Sequence, residues 1–247
     1  MQHSPGDPNF IESYQFLIDR SRDDIVEKLK EIRAELESGK LRTLEFEGLT
    51  CIALEQHLYQ PLIYVKGNLI EVKPVVLNEG ERDFVLDLQR FCREQRGYFK
   101  DKELYLLRNM SRGRGIGFFE AGNFHPDFIL WLLANGRQYI NFVDPKGLRN
   151  LKGLDDPKLS FYKDVKTIES RLRAQDSAVT LNSFIISNTA LPEVSWWGGG
   201  TTKQQFEARH VLFQKEDKDT YVGKLLTLAT CGVSQDFDIR FDIWHHV

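Results

Sequence analysis

The sequence predicts an α/β fold, a mixed β-sheet with helices packed on its faces. Three observations carry this. Apolar residues recur at helical spacing over Glu79 to Gln95 and again over Leu159 to Arg173. Between those helices lie short apolar runs broken by Gly122-Asn123 and Asn135-Gly136 turns. A further β-rich run, VTLNSFIIS (179–187), follows the second helix. Helix, strand meander, helix and strand in that order build a sheet with helices on its faces.

Each element has its own signal. Pro5, Gly6 and Pro8 make residues 1–8 a loose lead-in. From Asn9 to about Ser38 the spacing predicts a helix. Phe10, Tyr14, Leu17 and Ile18 form one stripe, and Ile25, Leu29, Ile32 and Leu36 continue it. From Leu41 to Val76 the pattern changes to strands, with a hairpin expected around Lys66-Gly67-Asn68. A boundary near Leu77 divides an N-terminal helix-plus-hairpin extension (1–77) from a second unit (78–247). In that unit, Phe84, Val85, Leu88 and Phe91 are the buried face of the first helix, with Glu79 and Glu81 in its first turn. LYLLRN (104–109) is a short strand, followed by the loop SRGRG. GIGFFEA (115–121), PDFILWLLA (126–134) and YINFVDPKG (139–147) then read as three strands in meander order. Phe161, Val165, Ile168 and Leu172 mark the second helix, and Lys203 to Thr230 leans helical.

Composition sets limits on function. With 41% hydrophobic and 28% charged residues, the 247-residue chain has ordinary globular make-up. Its net charge of −3 excludes nucleic-acid binding by bulk charge alone, so such binding must use local patches. One such patch is visible. From Arg90 to Arg114, eight basic residues face three acidic ones, a local net charge of +5. Cys51, Cys92 and Cys231 form no CxxC pair, and each reads as a small core residue. The six histidines show no zinc spacing, and His245-His246 reads as a tail. The polar N-terminus and the absence of an apolar run long enough to span a bilayer lead us to expect a soluble, cytoplasmic protein without a membrane partner.

The chemistry-bearing residues bracket the middle strands. Pro126-Asp127 opens one strand, Asp144-Pro145-Lys146 closes the next, and Asn135-Gly136 lies between them. A hairpin at that turn brings Asp127 and Asp144 to one end of the sheet. Two carboxylates there repel unless a cation neutralises them, and hard oxygen donors select Mg²⁺, with Mn²⁺ as a substitute. Lys146, two residues after Asp144, points to the same strand face, where an ammonium can orient water or neutralise phosphate. A third acid is expected from the first helix. Glu81 is the choice, with Glu79 and Glu120 as alternatives. Taken singly, Asp127 also reads as a turn residue, and Asp144-Pro145-Lys146 as a polar strand exit.

The stretch ELYLLRN…GFFEAGNFHPDFILWLL…GRQYINFVDPKGL resembles the nuclease domain of the PD-(D/E)XK superfamily. More narrowly, it is similar to the C-terminal nuclease region of restriction-type DEAD/DEAH-box helicase subunits. Upstream, LEQHLYQPLI…IEVKPVVLNEGERDFVLDL resembles the region leading into that domain, so the likeness covers Leu54 to Leu148. It implies a restriction-endonuclease-like sheet and a metal-dependent endonuclease acting on DNA in restriction or phage defence. By this resemblance, Asp127, Asp144 and Glu81 are metal ligands and Lys146 is the catalytic lysine. Arg108, Arg112, Arg114, Arg149 and Lys152 are expected to contact nucleic acid. The chain has no G-x-x-x-x-G-K-S/T loop, so a helicase motor is expected on a partner or elsewhere in a longer protein, unless the chain stands alone. Two rival readings remain at this point. One is a silent nuclease-like module that binds nucleic acid or docks a helicase, and the other is an RNA- or structure-selective nuclease.

Other features fit structural or surface roles. Gly113, Gly115 and Gly117 precede a strand, which fits a basic phosphate-touching loop better than a nucleotide loop. Trp196-Trp197 before three glycines fits packing better than base stacking. Gln138 resembles a family position near the site and otherwise reads as a polar strand start. His125, beside Pro126-Asp127, reads as structural.

Overall fold

The computed structural model describes residues 14–19, 21–38, 43–53, 62–73, 76–109, 116–118, 124–149, 153–154, 156–194 and 202–231. The expectations for Glu120, Arg112, Gly113, Arg114, Gly115, Lys152, Trp196-Trp197 and His245-His246 lie outside these residues.

The first part of the chain holds β1 (Gln15–Ile18), α1 (Asp23–Glu37), β2 (Leu44–Phe46), β3 (Leu49–Ile52), β4 (Leu62–Val65) and β5 (Ile70–Lys73). The helix expected from Asn9 is corrected here, because within the described residues it starts only at Asp23. Phe16 and Ile18 pack inward while Leu17 is exposed, a period of two that pairs β1 antiparallel with β5. The Asp19 carboxylate then accepts from the Ser21 N–H (2.9 Å) and hydroxyl (2.6 Å), a local turn that separates strand from helix. The expected Lys66-Gly67-Asn68 hairpin is also corrected. β4 pairs with β3 in a sheet ordered β2-β3-β4, whereas β5 leaves to pair with β1. Gly67, at φ +94°, therefore turns a corner between two sheets.

The second part holds α2 (Glu79–Glu94), β6 (Lys102–Arg108), β7 (Phe128–Ala134), β8 (Arg137–Lys146), α3 (Pro157–Arg173), β9 (Val179–Ser187), α4 (Lys203–Glu207), β10 (Val211–Phe213) and α5 (Tyr221–Cys231). The sheet is mixed, with order β10-β9-β8-β7-β6. β6, β7 and β8 form an antiparallel meander, while β8, β9 and β10 run parallel. α3 makes the crossover that parallel neighbours require. Phe84, Val85 and Leu88 of α2 and Leu225 and Leu226 of α5 cover one face, over Leu106, Phe128, Leu130 and Val143. Phe161 and Val165 of α3 cover the other, over Ile129, Phe142 and Leu181. Each fully buried Phe or Leu contributes roughly 1.5–3 kcal/mol.

Three further expectations are corrected. The meander begins with β6, not with GIGFFEA. Of its described residues (116–118), Phe118 bridges Phe124 while its ring packs on Phe142 and Phe161. The C-terminal stretch contains a strand, because Val211, Leu212 and Phe213 are buried beside β9. Cys231 is exposed at the end of α5 and is not a core residue. Among the described residues, no helix is long and apolar enough to cross a membrane.

Candidate active site

Asn135 (φ +52°) and Gly136 (φ +69°) both adopt the left-handed conformation of a two-residue hairpin turn, and Ala134 pairs with Arg137 across it. That fixes the register of β7 on β8 down to Phe128 opposite Val143. One step further, Asp127 falls opposite Asp144. A second lock lies in the next pair. The amide of Asn182 on β9 donates to Asn141 on β8 (2.9 Å) and to the Ala229 carbonyl (3.1 Å), with both asparagines buried. Unpaired, these groups would each cost about 1–3 kcal/mol, so a slipped register is penalised.

The strand pleat decides which side each residue takes. Val143 faces α2, so Asp144 and Lys146 alternate with it onto the face where Phe142 packs. The Lys146 ammonium is hydrogen-bonded to the Asp144 carboxylate and stands 5.3 Å from the centroid of the Phe124 ring. Asp144 is buried, and the Asp127 side chain keeps 24% of its exposure.

The Asp127 carboxyl is pushed up to about 8. Burial is the largest cause, followed by repulsion from Asp144, a side-chain hydrogen bond to Asp144 and repulsion from Glu81. Arg108 opposes them. Asp127 therefore keeps its proton at neutral pH and donates it in a hydrogen bond to the Asp144 carboxylate.

Glu81 lies on the α2 side. Its Oε2 accepts from the Asn78 N–H (3.0 Å), closing the capping box of α2, and pairs with Arg108 Nη2 at 2.9 Å. Arg108 also faces Asp127 Oδ1 at 3.7 Å and stacks over Phe128 at 4.9 Å. Glu81 Oε1 takes no hydrogen bond among the described residues. The sequence placed Arg108 against nucleic acid, yet its side chain is 11% exposed and committed to the two acids. Glu79 is exposed at the helix start, 3.6 Å from Arg82. Among the described residues, no three His, Cys, Asp or Glu side chains close on one point as a ready-made ion cage. Chemically the Asp127–Asp144 pair suits a hard divalent cation, since two carboxylates in contact need positive charge between them. Glu81 stands one guanidinium away.

Lys146 opens into a cleft of 1290 Å³ between α2 and the segments that follow β8, β9 and β10. Arg149 lies in it, exposed and paired with Glu193. Sequence reasoning missed Arg82, Lys215 and Lys218 on the cleft walls. It also missed Asn109, whose buried amide donates to the carbonyls of Pro126 (2.7 Å) and Ile116 (2.8 Å) and so fastens the strand entrance at Asp127. No motif marks an asparagine for this role. Gln138 pairs with Leu133 at the hairpin end of β8, six residues and about 20 Å from Asp144. That supports its reading as a polar strand start and removes it from the site. The His125 ring packs against the Gly117 backbone, where an added Cβ would approach it to 2.1 Å.

Comparisons of the chain with protein-family models, with curated proteins and with solved structures find no match.

Proposed function

We propose that this chain is a Mg²⁺-dependent endonuclease that hydrolyses phosphodiester bonds in DNA. The observation that carries the reading is the cross-strand contact of Asp127 and Asp144, with Lys146 hydrogen-bonded to Asp144 and lining a basic cleft. The resemblance to PD-(D/E)XK nucleases adds to it. That resemblance also makes a helicase or ATPase, as partner or as further domain, part of the proposal.

Asp127 and Asp144 would hold the cation, with Glu81 supplying a further carboxylate through its unengaged Oε1. When bound, Mg²⁺ polarises a phosphoryl oxygen and makes a bound water more acidic. The remaining work falls to the chain's own side chains. Lys146 reaches the cleft and the acid pair together, so its ammonium can sit against a scissile phosphate or hold the attacking water. Arg108 keeps Glu81 and Asp127 from repelling each other. Arg149, loosely tied to Glu193 at the surface, can exchange that partner for a phosphate.

The test is incubation of supercoiled plasmid and, separately, of RNA with the protein in Mg²⁺. Nicking or cutting of the plasmid is expected, falling at least about a hundredfold in Asp144→Ala and in Lys146→Ala. Ca²⁺ is expected to permit binding without turnover. DNA binding without cleavage in Mg²⁺ or Mn²⁺ would replace the proposal with a silent docking module, and cleavage of RNA alone would change the substrate.

A further inference from the structure

The 1290 Å³ cleft carries a charge pattern that the acid site does not require. Eight lysines and arginines and three acids line it, a local net charge of +5 on a chain whose overall charge is −3. Arg82 and Arg90 are paired with neighbouring acids. Arg93, Lys158, Lys215 and Lys218 are not: among the described residues they form no ion pair. Four unpaired cations facing one concavity repel one another and focus a positive field within it. Among the described lining residues Leu86 is the only large apolar side chain and none is aromatic. A pocket for a small organic ligand is smaller and mainly apolar, and a groove that selects single strands presents rings for bases to stack on. This cleft offers ammonium, guanidinium and amide groups, which match phosphates.

We propose that the cleft between α2 and the turn after β10 seats the sugar-phosphate backbone of double-stranded DNA through its phosphates. Arg93, Lys158, Lys215 and Lys218 are its phosphate contacts. Lys146 is the point where the seated strand meets the acid pair. The choice of polymer rests on the nuclease reading, whereas the class of ligand, a polyanion held through its phosphates, rests on the cleft alone. These four contacts contribute about −3.6 to the slope of log K against log salt on duplex DNA, beyond what Lys146 and Arg149 add.

The experiment measures binding apart from cleavage, by fluorescence anisotropy of labelled short duplexes in Ca²⁺ over a salt series. The wild-type chain is compared with the exposed pair substitution Lys215→Ala/Lys218→Ala, whose fold is checked by its melting temperature. The double variant is expected to weaken binding by the same factor on two unrelated duplex sequences and to flatten the salt slope by about 2. An unchanged dissociation constant and slope would overturn the proposal, as would tighter binding of a single strand than of the duplex. If the salt slope flattens as expected while the wild-type protein cuts nothing in Mg²⁺, the cleft assignment stands and the hydrolase reading falls. Cleavage with an unaltered slope has the opposite meaning.

Discussion

Replacing Asp127 by Asn tests the acid pair without touching its shape. The Asn amide can still donate to Asp144, and its carbonyl can still accept from Arg108. The folded protein holds the Asp127 proton up to about pH 8, against about 3.9 in an unfolded chain. Because the folded value is raised, the native state binds this proton more tightly than the unfolded state between those two pH values. The group's contribution is therefore fully present below about pH 4 and is lost as pH rises, by about 1.36 kcal/mol per unit, until it levels off above about 8. Between pH 4 and pH 7 the loss is on the order of 4 kcal/mol. Asn does not titrate. In EDTA the variant should gain on the wild-type protein steadily over that range, as read from urea midpoints at constant m. Adding Mg²⁺ should close much of the gap at neutral pH, since a cation that binds the folded state can take the proton's place. A difference in stability that stays flat from pH 4 to pH 8 would refute the claim that Asp127 holds its proton against Asp144.

Other perturbations follow from neighbouring contacts. Burial lowers His210 to about 4, so it is neutral in the fold and costs stability as pH falls from about 6.5 to 4. His210→Asn, which tolerates the φ of +58°, should be less stable at pH 7 but lose about 3 kcal/mol less on acidification, measured by urea unfolding. Asn182→Ala removes the donor to Asn141 and to the Ala229 carbonyl and should cost about 2–3 kcal/mol in the same assay. Arg108→Met leaves Glu81 and Asp127 facing each other without their buried cation. It should cost about 3–5 kcal/mol, with a larger drop in melting temperature at pH 8 than at pH 5.

The elements that position the acid pair were legible because their signals are local. Asn135-Gly136 supplies two left-handed residues, the flanking runs are apolar, and the hairpin follows without long-range knowledge. α2 was legible for the same reason, through its stripe of Phe84, Val85 and Leu88 and the acids of its first turn. What failed was long-range or ambiguous in period. Tyr14, Leu17 and Ile18 fit a helical stripe, and Phe16 and Ile18 fit a strand. The choice falls to β5, which lies more than fifty residues away. The three residues of β10 are too few to show any period, and parallel pairing with β9 makes them a strand. The cleft was half legible. Arg90 and Arg93 belong to the basic run seen in the sequence, but Lys215 and Lys218 come from the far end of the chain and join them only through the fold.

The electrostatics of the site explain how it can fold before anything binds. Three carboxylates (Glu81, Asp127 and Asp144) are interleaved with two cations (Arg108 and Lys146), which leaves one negative charge too many. The proton held by Asp127 removes that excess. Asp127 and Asp144 would hold the proposed cation, whose charge would stand in for this proton and leave the Lys146 ammonium free for the cleft it borders. Under the proposed function, metal binding and substrate binding would be linked through Lys146. The same ammonium that neutralises Asp144 would become available to a phosphate only when another positive charge takes over that task.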